Sequence, residues 1–189
     1  MTIPGPGAGD PARPPAIRRF LDGLYRGAGI LAAACIAGLC LLISAQILLN
    51  AGTRLGLPLP PTIPSYADFA GYGLACATFL ALPWTLRTGG HVRVGLVTQR
   101  LPARAAFVAE LIALTLAATM VAYALTYTVL LAEESHRFGD TSPGIVPIPL
   151  WLPQSVMVLG LALLLVALID SLVGTWRARA PVLARTAEE

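Results

Sequence analysis

Residues 27–49 read GAGILAAACIAGLCLLISAQILL, 23 consecutive positions without a charge. A helix rises ~1.5 Å per residue, so this stretch reaches ~35 Å and crosses a ~30 Å hydrocarbon core. Backbone amides find no water in lipid, which leaves only helices and closed barrels as spanning structures. Barrel strands alternate apolar and polar residues, and this run does not. Three further stretches of the same kind follow, Tyr66–Leu86, Ala105–Leu131 and Leu150–Trp176. Together they predict an all-α integral membrane protein of four spans with little mass outside the bilayer.

The composition agrees, with 56% hydrophobic and 12% charged residues. A net charge of +3 would point to nucleic acid in a soluble protein, but here the distribution decides otherwise. All thirteen basic residues are arginines. Arg13, Arg18, Arg19 and Arg26 precede the first span, and Arg87, Arg93, Arg100 and Arg104 separate the second from the third. Arg177, Arg179 and Arg185 follow the fourth, leaving only Arg54 and Arg137 for the other two connections. By the positive-inside rule, both termini and the middle connection are cytoplasmic. Membrane lipids, not nucleic acid, are the expected partners of these charges.

Residues 1–16 are rich in proline and glycine and predict a disordered cytoplasmic tail. Residues 17–176 form the membrane domain, and 177–189 a second cytoplasmic tail. Ile17–Tyr25 is amphipathic at helical spacing, which predicts a short helix at the inner interface before the first span. Asp22 lies four residues from both Arg18 and Arg26, a pairing distance on a helix. Ala32-Ala-Ala-Cys35 resembles a lipoprotein cleavage box. The apolar run before it is too short for a signal core, so the first span reads as a retained anchor. Cys35, Cys40 and Cys76 lie inside spans without a CxxC pair and read as small hydrophobes.

The first outer connection, Leu57-Pro-Leu-Pro-Pro-Thr-Ile-Pro64, is expected to be stiff and extended because each proline fixes φ. Gly89 and Gly90 release the chain from the second span, and Val94, Val97 and Leu101 then share one helical face. That spacing predicts a second interfacial helix, with His91, Arg93 and Arg100 at headgroup depth. The second outer connection is expected over Glu133–Pro149, with a turn at Thr141-Ser-Pro-Gly144. Trp151 and Trp176 bracket the fourth span at ~37 Å, matching two interfacial aromatic belts.

Helices in lipid associate through small residues. The third span carries Ala105, Ala109, Ala113 and Ala117, and the second carries Ala67, Gly71 and Ala75 beside Gly73, Ala77 and Ala81. These stripes serve either the internal seams of a four-helix bundle or another membrane protein, and both readings stay open. Glu110 and Asp170 lie near the inner ends of their spans and Asp68 near an outer end. No span carries an ionisable residue at its centre, so these three read as ion-paired anchors and not as a transport site. Glu110 and Asp170 are candidate partners for His91, Arg93 and Arg100.

Enzyme chemistry is not expected. His91 and His136 fall on opposite sides of the membrane and cannot share a metal or a haem. No nucleophile elbow, HExxH or phosphate loop is present.

Gly89-Gly-His-Val-Arg-Val94 after the second span resembles a junction of the DctQ-type small membrane subunits of TRAP transporters. Ser142-Pro-Gly-Ile-Val-Pro-Ile-Pro-Leu-Trp151, followed by Pro153-Gln154 and Gly160, is similar to a second hallmark of that family. The likeness covers roughly residues 25–175, with Gly95 departing from the acidic or polar residue often found there. It implies a tripartite importer of an organic acid. A periplasmic solute-binding protein captures the acid, a large permease carries it inward with the sodium gradient, and the small subunit completes the scaffold. The resemblance therefore implies no cofactor, metal or substrate site in this chain. The alternatives are the small subunit of another tripartite carboxylate importer and the membrane anchor of an oxidoreductase.

Overall fold

The computed structural model describes residues 16–88 and 102–178. These fold as α1 (Ala16–Arg54), α2 (Tyr66–Arg87), α3 (Ala103–Phe138) and α4 (Trp151–Ala178). All four are long and apolar enough to cross a membrane. α1 and α3 begin, and α2 and α4 end, at one end of the helix set, and the two described loops close the other.

The packing order differs from the chain order. α1 packs on α2, α2 on α4, and α4 on α3, so α2 and α4 are central. A third (33%) of the apolar window of α4 is buried, against 6% for α3. Four helices in a row make three main seams, where a closed four-helix bundle would have four, and leave α1 and α3 as open flanks. The four helices meet most closely at one end, where Tyr25, Leu86, Leu114 and Leu168 share a core cluster.

The seams use glycine where backbones approach. A Cβ on Gly29 would stand 3.0 Å from the Trp84 side chain, and one on Gly73 would stand 3.1 Å from Leu39. A Cβ on Gly160 of α4 would fall 2.5 Å from the Phe79 carbonyl oxygen of α2. That carbonyl is special because residue 83, four positions on, is a buried proline inside α2 with no N–H to offer. The Gly73, Ala77 and Ala81 stripe thus faces inward, with Ala77 only 2% exposed. Ala67 and Gly71 of the other stripe are exposed. The α3 stripe is mixed, with Ala113 exposed and Ala117 packed on the core cluster.

Two boundaries depart from the sequence reading. Residues 17–25 are not a separate interfacial helix but the opening turns of an unbroken 39-residue α1. Tyr25 explains the difference, because it is 1% exposed within the core cluster and has more to gain there than at the interface. The helix is ~58 Å long, so it tilts or projects beyond the hydrocarbon. α3 likewise runs on through Glu133-Glu-Ser-His-Arg137 to Phe138, where the expected loop had already begun. Loss of apolarity marks the exit from lipid, while glutamate and arginine still favour helix. Arg137 in the last turn suits its dipole, and Gly139 ends it at φ 69°.

Candidate functional site

The charges at the shared core end converge on one side chain. Arg87, in the last turn of α2, places Nη1 2.9 Å from Asp170 Oδ2 on α4 and Nη2 2.9 Å from Asp22 Oδ1 on α1. Its Cζ lies 5.7 Å from the centroid of the Tyr25 ring, within cation–π range. A planar guanidinium suits this arrangement, since its forked N–H donors reach two carboxylates at once. Arg87 is 20% exposed and Asp170 36%, so the first pair is only partly screened by water. Asp22, at 51%, is the weaker hold. One residue therefore ties three helices together.

Asp22 does not pair with Arg18 or Arg26, its helical neighbours. A salt bridge across a seam, beside the buried Tyr25 ring, displaces the solvated intrahelical one. Asp170 pairs with Arg87, which counted from sequence only as a topology charge and was not among the partners considered for it. Glu110 is half-buried on α3. Gly89, Gly90, His91, Arg93 and Arg100, and the interfacial helix expected over 94–101, lie outside the described residues. So do most of both tails.

The opposite end is pinned by amide and hydroxyl groups. Gln46, 8% exposed on α1, accepts from the Ile63 N–H at 2.8 Å and from Thr62 Oγ1 at 3.3 Å. Its Nε2 donates to the Pro61 carbonyl at 3.4 Å. Prolines remove half of the N–H donors of the 57–64 loop, and a single glutamine meets part of the remaining demand. Just beyond, Ser65 opens α2 in the left-handed region at φ 55°, and its Oγ accepts the Val146 N–H at 2.8 Å.

Val146 belongs to the Ser142–Pro149 stretch. There Ser142 Oγ donates to the Val146 carbonyl (3.2 Å) and accepts the Ile148 N–H (3.0 Å), while Ser142 N–H bonds the Ile148 carbonyl (2.9 Å). Thr141 and Pro149 form an isolated antiparallel bridge that closes the loop. Gly144 rests against Asp68 in the first turn of α2, so closely that a Cβ would overlap the carboxylate oxygen Oδ2. Asp68 is thereby placed at a loop contact at the end away from Arg87. Trp151 starts α4 with its ring 5.2 Å from His136, edge to face.

The sequence reading missed Arg87, Tyr25, Gln46 and Pro83. Gln46 was the one legible signal, because an amide inside an apolar span needs a partner. Among the described residues, no three histidine, cysteine, aspartate or glutamate side chains gather as metal ligands.

Charges tie one end of this membrane protein, and hydrogen-bonded loops pin the other. A family model agrees on the class. Residues 39–178, about three-quarters of the chain, match the DctQ component of tripartite ATP-independent periplasmic transporters. The chain belongs to this family of transporter components and is not an enzyme. No curated protein and no solved structure matches it. The second of the two family-like segments acquires physical roles, while the first lies outside the described residues. Ser142 and Gly144 build and seat the loop, and Gly160 permits the α2–α4 crossing.

Proposed function

We propose that this chain is the scaffold of a sodium-driven organic acid importer in the bacterial inner membrane. A large permease carries substrate and sodium, and a periplasmic binding protein delivers the acid. The chain itself uses no cofactor and holds neither substrate nor ion. What supports this reading most is the Arg87 tie. A cation shared between Asp22 and Asp170 at the end of the helix set locks α1, α2 and α4 together. A part that must stay still while its partner moves benefits from such a cross-brace. The pinned outer loops suit the docking of a rigid protein, since ordering costs little when the loop is already fixed.

The test is sodium-dependent uptake in proteoliposomes with the large permease and binding protein present, normalised to assembled complex. Asp68→Asn, Glu110→Gln and Asp170→Asn are expected to leave the normalised rate within a few-fold of wild type. The sodium dependence is expected to be unchanged, and any loss to follow complex abundance. A normalised loss of tenfold or more, ~1.4 kcal/mol at the barrier, with altered sodium affinity would make one of them a ligand.

Orientation belongs to the same proposal, with both termini and the 88–102 connection cytoplasmic. Single cysteines in a background lacking Cys35, Cys40 and Cys76 report it. An impermeant thiol reagent added outside intact cells should label positions 62 and 141 but not 98 or 186. Outside labelling at 98 would invert or break the four-span topology.

A further inference from the structure

At the loop end of the α3–α4 seam the two helices leave an open groove of about 330 Å³. This lies at the lower end of volumes that hold small ligands, ~300–1,000 Å³. Ala132 and Val158 give it apolar walls, and Glu133, His136, Trp151 and Ser155 supply its polar and aromatic ones. No lysine or arginine lines it. A carboxylate such as that of Glu133 accepts hydrogen bonds and donates none. Ser155 Oγ spends its one proton on the Trp151 carbonyl at 2.6 Å, so it presents lone pairs to any further partner. His136 meets the Trp151 ring at 74°, which fixes the indole. Glu133 and Ser155 thus offer acceptors in an open groove that no lysine or arginine lines.

We propose that it binds the headgroup of a phospholipid with a primary ammonium, of the phosphatidylethanolamine type. Three N–H donors on one cation match the Glu133 carboxylate and the Ser155 lone pairs, while Ala132 and Val158 meet the first methylenes below. The depth is right, because Trp151 begins α4 and marks the headgroup belt. Access is right as well, since α3 is the least buried helix and the seam opens at the edge of the row. A trimethylated headgroup carries the same charge but no N–H. The groove should therefore discriminate against phosphatidylcholine.

The test is native mass spectrometry of the full chain taken in mild detergent from vesicles containing equal parts phosphatidylethanolamine, phosphatidylcholine and phosphatidylglycerol. Wild type should retain phosphatidylethanolamine selectively. Glu133→Gln, which nearly keeps shape, should lower that retention about tenfold, the scale of one charged hydrogen bond. Glu134→Gln, exposed next door but outside the groove, should not. Equal retention of the choline lipid, or undiminished retention by Glu133→Gln, would overturn the proposal. Retention by the isolated chain that vanishes with the large permease present would assign the groove to a protein partner, and would overturn it too.

Discussion

Arg87→Ala is expected to lower the stability of the folded chain by ~1.5–3 kcal/mol, measured as the thermal midpoint and the folded fraction in detergent. Breaking one side of a fully buried ion pair costs ~3–5 kcal/mol, because the abandoned charge stays desolvated. Here Arg87 and Asp170 are 20% and 36% exposed, so water recovers part of that loss. The midpoint should fall by about 3–12 °C.

The stronger signature is non-additivity. With Arg87 gone, Asp170 has lost its counter-charge, so Asp170→Asn should partly rescue Arg87→Ala although it weakens the wild type. Asp22→Asn should cost less than Asp170→Asn, in line with its greater exposure. Tyr25→Phe should be close to neutral, since the ring faces the guanidinium while the buried hydroxyl finds no hydrogen-bond partner among the described residues. Strictly additive losses for Arg87→Ala and Asp170→Asn would mean that the pair contributes nothing as a pair.

What was legible from the chain follows from what sequence encodes locally. The solvent demand of a span is local, so all four helices were readable from runs of apolar residues. The arginine distribution is also local, and the proposed orientation rests on it. Helix ends were not readable where polar residues kept the helical conformation after leaving lipid, as Glu133–Phe138 do. Neither was the pairing of Arg87, because the competing partners Asp22 and Asp170 lie 65 and 83 residues away. Spacing rules reach only to the next turn. They favoured Asp22 with Arg18 or Arg26, while tertiary packing selected the arginine beside the Tyr25 ring.

The row of helices has the same origin. Small-residue stripes say where a close seam is possible, but not which of two stripes on one helix is used. On α2 the choice fell to Gly73, Ala77 and Ala81, where Leu39 fills the space a Cβ would take. Gly71 meets nothing within 4 Å. Three seams instead of four leave α1 and α3 with long apolar flanks. A chain assembled with a larger membrane partner loses nothing by this, because a flank is what a neighbour covers.

Gly160→Ala is expected to destabilise by ~1–3 kcal/mol, the range of an overpacked interior. Gly38→Ala in α1 is expected to be neutral or stabilising. The added methyl is the same and both sites are helical, so helix propensity alone favours both changes by up to ~1 kcal/mol. Space separates them. A Cβ at Gly38 meets nothing within 4 Å, whereas one at Gly160 falls 2.5 Å from the Phe79 oxygen and 2.6 Å from its carbon. Those are backbone atoms, and they cannot rotate away. Relief requires moving α2 from α4, the central seam that carries both flanks. Separation also strips a neighbour from a carbonyl that Pro83 has deprived of its usual N–H, and in lipid no water replaces it. A close Cα–H contact is worth at most ~1 kcal/mol, so sterics dominate the loss. Gly160→Leu should go further and abolish the crossing. A Gly160→Ala protein at least as stable as wild type would show that α2 and α4 yield at this point, and that the central seam is held elsewhere.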